Sequence, residues 1–198
     1  MNYLAHLLLS ESSLEARTGS LLADFTNISN KDLQLHFGRQ VSAAVIVHRE
    51  IDQYTDAHED VTAAIKYFFP QFRHYSRIIV DILFDHFLSS HWYQYCSLSL
   101  DCFAESIYQD FRSLPQGMPE KFQIFISRFI QYDLLRAYLT LDDLEEVFSR
   151  VDKRFKNPVG LKNAVEQCCK YYPQLDNLFL NFFPQLVNFV SDLNISDR

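Results

Sequence analysis

The chain has 198 residues, of which 48% are hydrophobic and 15% aromatic, and a formal net charge of −7. This composition excludes an intrinsically disordered chain, and the acidic balance argues against nucleic-acid binding, which needs an extended basic surface. The longest apolar runs stop well short of the roughly 20 residues of a membrane-spanning helix, so no membrane segment is expected. No linker rich in Pro, Gly or Ser divides the chain, which favours one domain over residues 1–198.

Apolar residues recur at i, i+3, i+4 and i+7 along most of the sequence, which predicts an all-α, single-domain helical bundle. In chain order, the predicted helices span about 2–10, 13–25, 40–54, 59–69, 74–95, 100–113, 119–138, 142–155, 160–170 and 174–192. Pro-Gln follows an aromatic residue at 69–71, 172–174 and 183–185. Helix breaks explain these three positions better than an internal repeat does.

The N-terminal segment and the cysteines indicate the compartment. Residues 1–9 are apolar but lack the basic start and the small-residue cleavage site of a secretory signal. The four cysteines show no Cys-x-x-Cys spacing and give no sign of a disulfide framework. We therefore expect a cytoplasmic protein with reduced thiols.

Polar side chains are embedded in several of the apolar helices. An acid or a histidine on a core-facing stripe must be paired, hydrogen-bonded or metal-bound. Asn2 and His6 are one turn apart among leucines, and Asp24 closes the apolar segment 21–25. In the helix predicted at 40–54, an apolar stripe continues into His48 and Asp52, so both should face the interior or a cleft.

The helix predicted at 74–95 carries Asp81 and Asp85 one turn apart in an almost wholly apolar segment. Two unpaired carboxylates on a buried face would repel each other and lose solvation, which a cation or strong donors would offset. Imidazole and carboxylate donors together suit Mn²⁺, Fe²⁺ or Zn²⁺. The candidate metal-site residues are His6, Asp24, His48, Asp52, Asp81, Asp85 and His86. Taken singly, each also fits a hydrogen-bonded core residue or a helix cap, and an ion-pair network remains an alternative.

Arginines lie beside two of these segments. Arg49 follows His48, and Arg77 lies one turn before Asp81. Each fits a solvated helix face or a salt bridge. Beside a metal, Arg49 would instead bind a phosphoryl oxygen bidentately.

Several of these residues fall within longer motifs. The sequence reads MNYLAH at 1–6, GSLLADF at 19–25, HREID at 48–52 and DILFDHFL at 81–88, followed by His91 and Trp92, with a weaker echo, SRVDKRF, at 149–155. In this order they resemble the acyl carrier protein phosphodiesterases, also called holo-acyl-carrier-protein hydrolases. The resemblance implies an HD-domain-like fold, and hydrolysis of 4′-phosphopantetheine from the serine of holo-acyl carrier protein with Mn²⁺. The adjacent His-Asp pair of HD proteins is absent, because Asp85-His86 has the reverse order and His48 and Asp52 lie one helical turn apart.

The resemblance leads to expected roles for individual residues. We expect Asp24, His48, Asp81 and Asp85, with His6, to hold the metal. Arg49 should stabilise charge on the phosphoryl oxygens, while Asp52 or His86 orients a ligand or protonates the leaving serine oxygen. Since the carrier is expected to be acidic too, substrate binding needs a local basic patch, for which the candidates are Arg49, Arg73 and Arg77, then Arg39. Asn2 is a further candidate for binding the substrate. The basic cluster Arg150, Lys153, Arg154 and Lys156 is the next candidate.

Two alternatives stay open from the sequence. One keeps the metal site but takes a nucleotide or another small phosphoester as substrate. The other is a non-catalytic helical binding module whose inward acids and histidines form a structural network. The oligomeric state is not indicated by the sequence.

Overall fold

The chain folds into helices joined by short loops. The computed structural model describes residues 1–114 and 117–196, and these include no β-strand, so the all-α prediction is confirmed. The α-helices are α1 (Tyr3–Leu9), α2 (Leu14–Leu22), α3 (Asn30–Phe37), α4 (Arg39–Ala57), α5 (Glu59–Phe72), α6 (Ser76–Ser90), α7 (Leu100–Phe111), α8 (Glu120–Gln131), α9 (Leu141–Asp152), α10 (Ala164–Lys170) and α11 (Tyr172–Ser196). Short 3₁₀ helices lie at Ala23–Phe25, Arg73–Tyr75, Trp92–Gln94 and Leu161–Asn163.

Helix α3 lies outside the predicted helices. It has eight residues and buries only Leu33, so it carries no apolar stripe. Gly38 ends it in a conformation with φ of 79° that L side chains rarely adopt, and α4 begins at the next residue. A short polar helix of this kind leaves no periodic signal in the sequence.

Helix α8 ends at Gln131, well before the predicted end at 138. Asp133 adopts a left-handed conformation with φ of 47°. The backbone amides of Asp133 and Leu134 donate to the carbonyls of Ile130 and Phe129, which is the hydrogen-bond pattern of a Schellman motif. The Tyr108 hydroxyl donates to Asp133 at 2.6 Å and holds the turn in place. The extension to 138 is therefore wrong, because glycine, the usual signal for such a turn, is absent.

Two of the three predicted proline breaks are wrong. Helix α5 continues through Pro70, and α11 continues through Pro184. Proline removes one helical hydrogen bond, but the aromatic residues beside these prolines are buried and stabilise both helices: Phe68, Phe72, Phe182 and Phe183. Pro173 lies in the first turn of α11, where proline is tolerated, and the break between α10 and α11 is confirmed.

Helix α6 is buried on nearly every side. It packs against α1, α5, α9 and α11, and Phe84 and Phe87 contact the ring of Phe179 on α11. Because the surroundings are apolar, Asp85 and His86 on this helix need internal partners. Among the helices of the described ranges, none is both long and apolar enough to cross a membrane.

Helices α2 and α4 lie in close contact along their length. At Gly19 of α2, an added Cβ atom would come within 2.3 Å of the Val41 carbonyl oxygen and 2.7 Å of the Ala44 Cβ. Only glycine allows the two backbones to approach this closely. The contact brings the end of α2, and Asp24 after it, next to the middle of α4.

Candidate metal centre

Three side chains meet between α1 and α4. His6, His48 and Asp52 bring potential ligand atoms within 4.8 Å of one another. Asp52 Oδ1 lies 3.1 Å from His6 Nε2, and Asp52 Oδ2 lies 3.0 Å from His48 Nε2. The two imidazole rings stack with centroids 3.8 Å apart. One carboxylate therefore spans two imidazoles from different helices.

Further charged groups surround these three residues. Asp24 Oδ1 lies 3.4 Å from His48 Nε2, and the amino group of Met1 lies 3.3 Å from Asp81 and 3.8 Å from Asp52. The histidines are 2% and 4% exposed, whereas the side chains of Asp24, Asp52 and Asp81 are 51%, 45% and 40% exposed. The carboxylates thus form the solvent-facing side of the cluster.

The protonation of the two histidines differs. Burial lowers the pKa of His6, and the neighbouring His48 lowers it further. Burial would also lower the pKa of His48, but the adjacent carboxylates of Asp24 and Asp52 outweigh it and raise the pKa. Although its own burial opposes the effect, the two imidazoles hold the pKa of Asp52 well below its usual range. His48 therefore carries the proton of the pair.

The donor set fits a divalent metal ion. Nδ1 of His6 and Nδ1 of His48 are buried without a hydrogen-bond partner among the described residues, and His6 Nε2, 3.1 Å from Asp52 Oδ1, makes no well-aligned hydrogen bond. A buried polar atom left unsatisfied costs about 1–3 kcal/mol, which coordination of His6 Nε2 would relieve. Two imidazoles with one or two carboxylates suit Mn²⁺, Fe²⁺ or Zn²⁺.

Asp85 joins α6 to the start of α1. Its Oδ2 accepts a hydrogen bond from the Leu4 amide at 2.8 Å, and its Oδ1 accepts one from the Ala5 amide at 3.4 Å. These amides belong to the first turn of α1, where the helix supplies no acceptor. Burial raises the pKa of Asp85 to about 7, although the two amides oppose the shift. Asp85 thereby positions His6, which follows Ala5.

The Arg49 side chain binds the loop that follows Asp24. It donates to the carbonyls of Thr26 and Ile28 at 3.2 and 3.0 Å, and to Asn30 Oδ1 at 2.5 Å. These contacts use three of the five N–H donors of the guanidinium, so two donors remain for a phosphoryl oxygen. In the structure, Arg49 secures the segment that presents Asp24 to His48.

His86 and Asn2 both contact Tyr138. The Nδ1 atom of His86 lies 2.7 Å from the Tyr138 carbonyl oxygen, and its Nε2 lies 2.9 Å from the Tyr172 hydroxyl. The amide of Asn2 donates to the Tyr138 hydroxyl at 2.9 Å. These contacts occupy both ring nitrogens of His86, and they link α1 and α6 to the segment before α9.

The two arginines predicted to bind substrate lie at helix ends. Arg77 forms an exposed ion pair with Asp56 at 2.7 Å. Arg73 has φ of 52°, and its guanidinium lies 5.6 Å from the ring centroid of Phe69. Within the described residues, neither forms a hydrogen bond or an ion pair with the histidines or carboxylates of the cluster.

Tyr3 and Arg154 also lie near the cluster; the sequence named Arg154 only within the second candidate docking patch and gave Tyr3 no role in the site. Burial raises the pKa of the Tyr3 hydroxyl and Asp24 adds to the shift, while Arg154, within hydrogen-bonding reach of the hydroxyl, opposes it. Arg154 thus adds a cation on the Asp24 side. Arg154 belongs to the motif SRVDKRF at 149–155, which was the sequence signal that could have placed it near the site.

A cavity of about 390 Å³ begins at the two histidines. Its inner end is formed by His6 and His48, and its outer end carries the exposed residues Glu11, Arg39 and Gln40. The cluster therefore has a carboxylate side open to solvent and an imidazole side that adjoins a cavity.

The fold and the site together define an all-α protein with a candidate metal centre of histidine and aspartate. The family model for acyl carrier protein phosphodiesterase matches residues 1–186, and the chain belongs to this family. The resemblance found in the sequence motifs is confirmed.

Curated relatives match over nearly their whole length. Proteins named acyl carrier protein phosphodiesterase are 30% identical in Serratia proteamaculans (strain 568), over 97% of this chain and 98% of the relative, and 30% identical in Yersinia pestis, over 94% and 96%. The protein of that name from Pectobacterium atrosepticum is 28% identical over 94% of this chain and 96% of its own. No solved structure matches the chain significantly.

Proposed function

We propose that this protein hydrolyses the phosphodiester bond between 4′-phosphopantetheine and the serine of holo-acyl carrier protein. Water adds to phosphorus, the bond to the serine oxygen breaks, and the products are 4′-phosphopantetheine and apo-carrier with its serine hydroxyl restored. The names of the relatives support this substrate. The observation that carries the proposal is the convergence of His6, His48 and Asp52 beside solvent-facing carboxylates.

We assign a divalent metal to His6, His48 and Asp52, with Asp24 as the next donor. Mn²⁺ is our first choice, and Fe²⁺ and Zn²⁺ suit the same donors. A cation bound there supplies Lewis acidity toward water and the phosphoryl oxygens. In this proposal Asp85 positions α1 through the amides of Leu4 and Ala5 instead of binding the metal.

The other residues act by positioning. His86 is engaged by Tyr138 and Tyr172 and lies outside the proposed reaction. Arg49 holds the loop after Asp24. The exposed edge of the carboxylates leaves room for a bulky protein substrate to approach. Since the proposed substrate is a carrier of cytoplasmic metabolism, we infer a cytoplasmic location.

The test uses protein purified without chelators, incubated with holo-carrier and Mn²⁺. Mass spectrometry should show loss of phosphopantetheine from the carrier. His48→Ala should abolish the release, whereas His36→Ala, which alters an exposed histidine of α3, should leave it unchanged. Wild-type protein that cleaves only nucleotide phosphodiesters would refute the carrier as substrate. Protein that binds no metal and cleaves neither would indicate a non-catalytic binding module.

A further inference from the structure

We propose that the cavity beside His6 and His48 receives the pantetheine arm of the substrate. The inference rests on the proposed function and adds the place where the arm lies. A volume of about 390 Å³ falls within the range of roughly 300–1,000 Å³ that is common for small-molecule sites. The cavity thus has the capacity for an organic chain.

The position of the cavity suits a phosphodiester that has a protein on one side and a long organic chain on the other. None of Asp24, Asp52 and Asp81 lines the cavity, and all three are about half exposed. A phosphodiester bound at the cluster therefore has open space on its carrier side. Its other substituent can follow the imidazoles of His6 and His48 into the cavity.

The lining matches the chemistry of pantetheine. Its walls are mainly apolar, from Leu9, Ala16, Ala43, Ala44, Val47 and Ile51, and also include Ser10 and Ser20. Its mouth carries polar groups, and Arg39 there forms no hydrogen bond or ion pair with any described residue. Pantetheine combines a dimethyl-substituted carbon with two amides, so apolar walls with free donors at one end complement it.

The length and the lining also discriminate between ligands. Arg39 and His48 lie nine positions apart on α4, about 13 Å at the helical rise of 1.5 Å per residue. A linear chain spans that distance, whereas inorganic phosphate would fill only one end. Apart from the imidazoles of His6 and His48, which the proposed metal engages, the cavity lining contains no Phe, Tyr or Trp among the described residues, so a nucleobase would find no large ring to stack on.

Small side chains keep the cavity open. Ala43 lies exposed on its wall, while Ala44 packs against Gly19 and is unsuited to substitution. Ala43→Phe should therefore fill the cavity without disturbing the helix contact. Ala57→Phe, at an exposed alanine of the same helix outside the cavity, is the matched control.

The test measures binding of two probes, 4′-phosphopantetheine and inorganic phosphate, to the Mn²⁺-loaded protein by calorimetry. Ala43→Phe should weaken phosphopantetheine binding at least tenfold, and Ala57→Phe should not. Phosphate affinity should remain the same in both variants. Arg39→Ala should weaken phosphopantetheine binding several-fold, which keeps the test decisive if Ala43→Phe fails to fold.

The outcomes separate this inference from the proposed function. If the wild type releases phosphopantetheine from holo-carrier but both Ala43→Phe and Arg39→Ala bind it normally, the arm lies elsewhere and the function stands. If the wild type releases none, the function and the subsite are both refuted. Selective loss of phosphopantetheine binding in the variants supports the subsite.

Discussion

The imidazole rings of His6 and His48 stack at 3.8 Å with an interplanar angle of 15°. His48 lies in the middle of a 19-residue helix, but His6 belongs to a helix of seven residues, too short to be stable alone. Contacts from elsewhere hold that helix: Asp85 binds its first turn, and the Ser20 hydroxyl donates to the His6 carbonyl at 3.1 Å. The geometry of the site therefore depends on tertiary contacts of α1.

Asp52→Asn should lower the affinity for Mn²⁺ by about tenfold or more. The amide keeps the shape of the side chain but removes the charge that spans His6 and His48. Calorimetric titration with Mn²⁺ measures the change. Asp56→Asn, one turn further on α4, loses only an exposed pair with Arg77 and should bind metal normally. Equal affinities in the two variants would remove Asp52 from the proposed centre.

Asp85→Asn should change the pH dependence of stability. Burial raises the pKa of Asp85 from 3.8 to about 7, so the folded protein holds this proton more tightly than the unfolded chain. The bound proton therefore stabilises the folded protein, and this contribution is fully present below about pH 4 and is lost as the pH rises to about 7. Asparagine removes this titration and keeps an acceptor for the Leu4 amide.

Urea unfolding at pH 5 and pH 8 tests this prediction. Relative to the wild type, Asp85→Asn should become more stable at the higher pH, by roughly 1–4 kcal/mol. The prediction would be contradicted if the variant and the wild type differed in free energy of unfolding by the same amount at both pH values. Loss of Mn²⁺ binding with a normal fold would instead support the role of Asp85 as a metal ligand.

Local spacing in the sequence was enough for contacts within one helix. His48 and Asp52 are one turn apart on an apolar stripe, and their side chains meet at 3.0 Å because a helix places such neighbours together. Asn2 and His6 have the same spacing but different partners, since Asn2 donates to Tyr138, 136 positions away. Spacing along one helix carries no information about partners on another.

The same limit explains why the role of Asp85 was not foreseen. The sequence indicated that a buried carboxylate needs a cation or strong donors. The structure supplies donors, the amides of Leu4 and Ala5 about 80 positions away. The sequence does not indicate that a free backbone amide of another helix will lie beside Asp85. A metal ion was therefore expected as its partner.

Arg49→Ala should loosen the loop after Asp24. The guanidinium donates to three acceptors in residues 26–30, and their loss should raise amide hydrogen exchange in that segment. Affinity for Mn²⁺ should fall several-fold if Asp24 contributes to the centre. Arg112→Ala, which removes only an exposed pair with Glu105, is the control. Reduced phosphate affinity with unchanged exchange would favour direct phosphoryl binding by Arg49.

Gly19→Ala should destabilise the fold by roughly 1–3 kcal/mol, because the new methyl group must displace the Val41 backbone or Ala44. Since this contact sets the distance between α2 and α4, Mn²⁺ affinity should fall as well. Gly38→Ala meets open space and should add only backbone strain at φ of 79°, with metal affinity unchanged. Thermal unfolding and metal titration of both variants check this. Equal metal affinities would show that the helix contact does not affect the site.

Carrier recognition should depend on cations near the exposed carboxylates. The chain has a net charge of −7, and an acidic carrier can approach productively only where positive charge is local. Arg154 lies beside Tyr3 on the Asp24 side, whereas Arg77 is paired with Asp56, which offsets its field.

We therefore expect Arg154→Glu to raise KM for holo-carrier more than Arg77→Glu does, with kcat little changed. Charge is already screened over about 8 Å at physiological ionic strength, and added salt shortens this distance. Salt should therefore raise the KM of the wild type for holo-carrier more than it raises the KM of Arg154→Glu. Arg112→Glu, directly after α7, is the control. If Arg77→Glu alone raised KM, the docking patch would lie at the start of α6, and the basic segment 150–156 would have no part in it.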